Sequence, residues 1–320
     1  MSRTLALTGA TGFIGAAVLG KLTQAGWSLR ALRRNTVKHS RSNAGSGAVE
    51  WVRGCLEDSE SLRRLVQGTE AVIHCAGAIR GATADDFRKV NVAGLGRLVD
   101  ASRKTNPMPR FLLISSLAAR EPHLSDYAAS KREGEDALQA KAAGMQWTAL
   151  RPPAVYGPGD RETLPLMRCL RSGISPVFGR KDSRFSLLFV DDLADAVRRL
   201  LELTQWSGAS FEIHDGRTGG YSWEELIQTI GRIIHKPVRQ FRIPIGVMQV
   251  AARGNLLLAR TCGCAPMLTP GKVRELTHPD WISDDAALRR VTGWAPRFPL
   301  ETGMRETLRH LRGGRWVLDE

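Results

Sequence analysis

The chain has 320 residues, 42% hydrophobic and 24% charged, with 46 Lys and Arg against 32 Asp and Glu for a formal charge of +14. That length suits one large domain or a domain with an attached lobe, and the composition is that of an ordinary soluble protein. The basic residues are spread along the chain with no Lys/Arg run longer than two, so no specific nucleic-acid partner is expected.

The start, "MSRTLALTGA", enters a strand directly, without a charged-then-apolar leader. "TLALTG" reads as a strand ending in a turn, and "FIGAAVLGKLTQAG" follows with helical spacing and a closing glycine. "SLRALRR" is a second strand, and "NTVKHSRSNAGSG" is polar and loop-like. Then come the strand "AVEWVRG", the helix "SESLRRLVQG" and the strand "AVIHCAG". A long helix is expected from Asp85 to Lys104, the strand "RFLLISS" after it, a helix from Tyr127 to Ala143, and the strand "QWTALRP". This βα alternation predicts a parallel, doubly wound sheet with helices on both faces.

After Pro152 the pattern loosens into "PPAVYGPGDRETLP", rich in Pro and Gly. "DDLADAVRRLLEL" is a strong helix with Asp191 and Asp192 at its positive end. Shorter helical segments follow: "WEELIQTIGRII", Ile245 to Ala259, "TPGKVRELT", "DDAALRRVTG" and "LETGMRETLRHLR". The division expected is a dinucleotide-binding domain over 1–160 carrying the chemistry. Residues 161–320 then return partly to the main sheet and partly form a smaller lobe over the strands' carboxyl ends. "IPIGVMQVAARGNLLLA" contains Arg253 and is shorter than the run of about 20 residues that spans a bilayer. It reads as an amphipathic helix covering a pocket, with membrane contact as the alternative. No transmembrane segment is expected. Cys55, Cys75, Cys169, Cys262 and Cys264 form no CxxC pair, and the seven histidines do not cluster with them. A reduced, cytoplasmic protein without a metal site is therefore expected.

Two motifs carry chemistry. "LTGATGFIG" places Gly9, Gly12 and Gly15 three apart between the first strand and the first helix, where bare backbone lets a pyrophosphate approach the helix N-terminus. An NAD site keeps an acid at the end of the second strand to hold the ribose; here the strand ends in Arg33 and Arg34, which suit a 2′-phosphate, so NADP is expected over NAD. "YAASK" places Tyr127 and Lys131 four apart, on one helix face. A nearby ammonium favours the phenolate, so Lys131 is expected to lower the Tyr127 pKa for proton transfer to or from a substrate oxygen. Ser116, closing "FLLISS", is expected to hydrogen-bond the same oxygen.

With these motifs in order, the chain resembles the extended branch of the short-chain dehydrogenase/reductase superfamily, which includes the NAD-dependent epimerase/dehydratase and hydroxysteroid dehydrogenase families. "TGATGFIG", "AVIHCAGA", Asn91 in "VNVAG", "ISS", "YAASK", "LRPPAVYGPGD", "LLFVDDLADA" and "GWAPRFPLETGMRETL" carry the likeness over nearly the whole chain. The resemblance implies a Rossmann fold with a smaller C-terminal substrate lobe, and catalytic Ser116, Tyr127 and Lys131. It also implies a cofactor site of Gly9, Thr11, Gly12, Phe13, Ile14, Gly15, Arg33, Arg34, Leu56, Cys75, Ala76, Gly77, Asn91, Tyr127, Lys131, Pro153 and Val155. At Asn91 the family keeps a helix-kinking asparagine.

The chain departs from the family pattern in three places. Cys55 in "GCLED" replaces the acid that usually meets adenine, leaving Leu56 and backbone, or Asp58, for that contact. Phe185 stands where sugar-nucleotide members keep an arginine, with Arg184 one step off. Ser116 and Tyr127 are joined by a shorter connection than in many sugar epimerases. The function expected is hydride transfer between NADP and a carbonyl or secondary alcohol of a partly apolar small-molecule substrate. A sugar-nucleotide epimerase or dehydratase with tightly held cofactor, and a non-catalytic NADP-binding assembly subunit, are the alternatives. The resemblance also allows a homodimer through helices flanking the sheet.

Overall fold

The computed structural model describes residues 4–34 and 48–312. Its first half runs β1 (Thr4–Thr8), α1 (Phe13–Gln24), β2 (Ser28–Arg33), β3 (Val49–Arg53), α2 (Ser59–Val66), β4 (Ala71–His74), α3 (Ala84–Arg88), α4 (Leu95–Arg103), β5 (Arg110–Ile114), α5 (Asp126–Lys141) and β6 (Trp147–Arg151). The second half runs β7 (Ala154–Tyr156), α6 (Leu164–Ser172), β8 (Ile174–Val177), β9 (Arg184–Phe185), β10 (Leu187–Phe189), α7 (Val190–Glu202), β11 (Ala209–Glu212), α8 (Trp223–Ile234), β12 (Arg239–Arg242), α9 (Ile245–Cys262), α10 (Pro270–Thr277), β13 (Asp280–Trp281), α11 (Ala286–Thr292) and α12 (Leu300–Arg312).

Seven strands form one parallel sheet in the order β11-β6-β5-β4-β1-β2-β3. The chain starts in the middle at β1, winds outward through β2 and β3, then returns to the other side of β1 with β4. The crevice between β1 and β4, where the winding direction reverses, is where such sheets bind ligands. The strands are buried on both faces and read as continuous apolar runs, as in "AVIH" with all four residues buried. One face packs on α1, α7 and α11 through Val18, Leu22, Leu193, Val197 and Leu288; the other packs on α2, α4 and α5 through Leu62, Leu65, Leu95, Leu98 and Leu138.

After β7 the chain builds a second core from Met167, Leu170, Ile227, Ile230, Met304 and Leu308. Between its lobe elements it returns to the sheet with α7 and β11. Asp192, fully buried in the first turn of α7, accepts the backbone N–H groups of Arg297 and Phe298 at 3.0 Å each. The acid at the helix start thereby ties the late "WAPRFP" segment to the main body.

The helix expected over Asp85 to Lys104 is interrupted. Residues Lys89–Gly94 form a π-helical turn between α3 and α4. Asn91 lies inside it, turned away from the helix to hold the loop after β4. Strand β5 stops at Ile114, so Ser115 and Ser116 lie just beyond its carboxyl end rather than within it.

Candidate active site

The glycine turn follows from two close approaches. Gly9 has φ +73°, and a Cβ there would stand 2.6 Å from the Ala76 nitrogen, so the β1 turn lies directly against the end of β4. At Gly15 a Cβ would stand 2.0 Å from the Gly9 carbonyl oxygen, which fixes helix α1 against the turn it leaves. Gly12 caps α1 with no side-chain cap and no acid in the first turn. Thr11 and Gly12 are exposed, so the positive end of the helix is open to an anion. Phe13 and Ile14, half-buried, begin the helix beside it.

Arg33 ends β2 opposite Arg53 in register, with its guanidinium 5.6 Å from the Trp51 ring centroid. Arg34 is exposed next to it. Leu56 is buried and Cys55 half-buried. Asp58 caps α2 by accepting the Glu60 and Ser61 amides at 3.1 and 3.2 Å. Beyond β4, burial pushes the Cys75 thiol up to about 12, so it is a neutral packing group. His74, bonded to the Thr8 hydroxyl at 2.7 Å, is held down at about 3 by burial and is uncharged. Pro153 and Val155 lie on the β6–β7 connection and on β7, half-buried.

Helix α5 begins at Ser125, whose hydroxyl accepts the Ala128 amide at 2.9 Å. Its first turns carry Tyr127 and Lys131. The Lys131 ammonium donates to the Ile114 carbonyl at 3.0 Å, against the end of β5. A side chain on Gly77 would stand 3.7 Å from it, so Lys131 faces the loop after β4. Burial lowers Lys131 to about 8 against the opposing pull of Glu135 and Cys75. Asn91 knits this corner together: its amide oxygen accepts the Ala78 N–H at 2.8 Å, while its nitrogen donates to the Ala78 carbonyl at 3.0 Å and the Ser130 hydroxyl at 2.9 Å.

The Tyr127 side chain, half-buried, lies beside Ser116. Desolvation lifts its hydroxyl above the ordinary phenol value; Ser116 pulls it back, Glu275 adds to the rise and Lys272 opposes it. This corrects the expectation that Lys131 lowers the Tyr127 pKa. The helix places the Lys131 ammonium toward the β5 end, and the ammonium acting on Tyr127 is Lys272 of α10, 6.0 Å from the ring centroid. Partial burial opposes the charge on Lys272, but its bond to Glu275 at 2.8 Å holds it above the usual ammonium value. Glu275 in turn accepts from the Ser125 hydroxyl. Phe87 covers Tyr127 edge-on at 6.1 Å.

Sequence reasoning missed Lys272, Glu275 and Ser125. "SDYAASK" contains a helix-cap signal that identifies Ser125. The i,i+3 Lys–Glu pair in "GKVREL" carried no mark of its distant partner. Arg184 and Phe185 lie apart from this corner. Arg184 pairs with Glu225 at 2.7 Å, and Phe185 stacks on Trp223 with centroids 5.2 Å apart. Among the described residues no group of three or more His, Cys, Asp or Glu side chains is arranged to hold a metal.

A parallel sheet with a glycine turn at its winding reversal and a Ser–Tyr–Lys corner beside it defines a dinucleotide-binding enzyme of the short-chain dehydrogenase type. The chain belongs to the NAD dependent epimerase/dehydratase family, whose pattern matches residues 5–213. It is 36% identical over 316 residues to a ceramide reductase of Caulobacter vibrioides, covering 98% of this chain and 96% of that protein. It is 25% identical to a UDP-glucose 4-epimerase of Vibrio cholerae, over 96% of this chain and 95% of that one. Among solved structures, the UDP-glucose 4-epimerase of Thermotoga maritima with UDP-glucose superposes with a TM-score of 0.75 at 22% identity, over 97% and 99% of the two chains. The protein is thus an NAD(P)-dependent enzyme. The bare glycine cradle and the uncapped α1 N-terminus fit the cofactor's pyrophosphate.

Proposed function

We propose that the protein is an NADP-dependent reductase acting on a ketone of a long-chain, ceramide-like substrate. The observation that carries this reading is the placement of the half-buried Tyr127 phenol beside Ser116, with Lys131 one turn on at the end of β5 and the Lys272 ammonium 6.0 Å from its ring; a phenol there is protonated at neutral pH. A protonated phenol is the form that gives a proton to a carbonyl oxygen as it is reduced. When bound, the dinucleotide supplies the hydride at its nicotinamide ring. Ser116 orients the substrate oxygen, and Tyr127 donates the proton to it. Lys131, Asn91 and the loop 75–77 hold the nicotinamide ribose side, while Lys272 steadies the phenolate left behind. The remaining predicted cofactor residues, from Gly9 through Val155, line the rest of that site in this reading. The lobe elements of the segment from 161 onward form the substrate half, while α7 and β11 belong to the main sheet.

The ceramide reductase relative supports the substrate class. A ceramide carrying a ketone on its long-chain base offers both an apolar body and a reducible carbonyl. The epimerase relative supports a sugar-nucleotide reading, but the arginine nearest the expected diphosphate position, Arg184, is engaged by Glu225. All five cysteines are free, which supports a reducing, cytoplasmic compartment. A homodimer through sheet-flanking helices belongs to the same reading, and sedimentation measures it.

Purified protein with NADPH and a ketone-bearing ceramide should oxidise the cofactor stoichiometrically with ketone loss. Interconversion of UDP-glucose and UDP-galactose without net cofactor change would instead establish the epimerase. For the cofactor, NADPH should bind more tightly than NADH by about 1.5–3 kcal/mol, the range of hydrogen bonds to charged groups. Replacing Arg33 and Arg34 by Ala should remove most of that difference, and equal affinity in the parent would end the NADP assignment.

A further inference from the structure

Helix α9 is apolar on two opposite faces. Met248, Ala252 and Ala259 are buried, and the first two pack against Val273 of α10. On the other side, Val247, Val250, Leu257 and Leu258 are 59, 69, 67 and 62% exposed. At 3.6 residues per turn these four and Gly254 fall within an arc of roughly 100°. An apolar helix face is normally buried, yet this one lies at the surface. Ten large hydrophobic side chains are exposed among the described residues. Five are on α9, and two more, Ile174 and Phe241, lie on the β8–β12 pair beside its N-terminus. In that pair Ile174 faces Arg239, and Phe241 is two residues on, so all three share one side.

The charge around this face has one sign. Between residues 226 and 274 the chain carries no Asp or Glu and eight Lys or Arg. Lys236, Arg239, Arg242 and Arg253 are exposed around the apolar arc. No helix of the described residues is long and apolar enough to cross a membrane.

We propose that the outer face of α9, with the β8–β12 pair, docks on a bilayer surface containing anionic phospholipid. The helix lies in the headgroup boundary, its apolar arc among the acyl chains and its basic surround on the phosphates. Self-association through this face fits less well. A two-fold contact sets each basic residue against its own copy's basic surround, with no acid on the segment to pair it. The docked helix packs on α10, and α10 carries Lys272 over Tyr127. A substrate leaving the bilayer therefore enters beside the candidate catalytic corner. That link to substrate rests on the reductase reading; the docking does not.

The test is vesicle flotation of the full chain without substrate, using phosphatidylcholine alone and phosphatidylcholine mixed with phosphatidylglycerol. The parent should float with the mixed vesicles and much less with the neutral ones. Val250→Asp with Leu257→Asp should lower the bound fraction at least about tenfold, because a charged side chain leaves the apolar arc. Arg239→Gln with Arg253→Gln should weaken binding about fivefold for each charge removed. The milder pair Val250→Ser with Leu257→Ser should follow the Asp pair in direction, and NADPH binding by each variant verifies its fold. Failure of the parent to float with the mixed vesicles overturns the proposal, as does flotation unchanged in the variants. A parent dimer that the Asp pair splits, with no vesicle binding, reassigns the face to a second copy of the chain. Flotation without ketone-ceramide turnover leaves the docking standing and removes only the reductase reading.

Discussion

The turn 9–15 and the helix α10 both border the same candidate catalytic corner, but the chain builds them differently. The glycine turn is made by neighbours: Gly9 and Gly15 meet within six positions, and the spacing of three states the geometry. Lys272 and Glu275 reach the corner from far down the chain, through a bond to Ser125 that spans 150 positions. A dinucleotide has a fixed shape and is met by backbone, whereas a substrate is met by side chains that any helix can carry. The first kind of site leaves a local signature, and the second leaves none until the fold closes.

The sharpest way to break this comparison is Tyr127→Phe. Turnover should fall by about 10²- to 10⁴-fold, the usual worth of a positioned proton donor, while NADPH affinity and melting temperature hold. Near-parental turnover would show that the locally legible motif is packing and that the chemistry lies elsewhere. Lys272→Met asks how much the distant side contributes. Loss of its ammonium should raise the Tyr127 pKa further and lower turnover, by at most about tenfold per unit of pKa change. The cofactor dissociation constant should stay put, which separates this effect from a general loosening. A change in cofactor affinity equal to that of Lys131→Met would merge the two regions into one.

The smallest effect is on pH dependence. Lys131 has a folded value near 8 against an ordinary 10.5. Between those two values the unfolded chain holds more protons than the folded one, so this residue makes stability rise with pH across that window. Cofactor affinity should run the other way, because the ribose contact loses its charge above about 8. Denaturant titration and cofactor titration from pH 7 to about 10.5 should therefore show opposite slopes. Lys131→Met should flatten both. Parallel slopes would mean that Lys131 does not contact the cofactor.

The same division governs what the sequence made legible. The alternating strands and helices of the first half, the glycine turn and the Tyr127–Lys131 spacing are periodic or contiguous, and each appears where its pattern predicted. The π-turn at Lys89–Gly94 hid inside an expected long helix, because the apolar spacing continues through it. The position of Asn91 came from family likeness, while its bonds to Ala78 and Ser130 required the fold. The direction of the Tyr127 shift was misjudged for a related reason. Helical spacing puts Lys131 one turn from Tyr127, but the end of β5 supplies a carbonyl that claims its ammonium. The acid-free stretch holding α9 was readable as a helix. That its outer face meets no other part of the described chain depends on everything packed around it.

Ser125 and its neighbour Leu124, whose carbonyl accepts the Arg274 Nε–H at 2.7 Å, tie the start of α5 to α10. The Ser125 hydroxyl closes the first turn of α5 and also donates to Glu275 on α10. When α10 lifts away, Ser125 loses its acceptor, and the first turn of α5 keeps its cap but loses its anchor. If α10 lifts away, the loss of this contact and fraying of the first turn of α5 are expected to be coupled. Amide hydrogen exchange at Ala128 and at Val273 would then proceed at matched opening free energies and slow together when the site is filled, so that occupancy is recorded in the backbone of both halves.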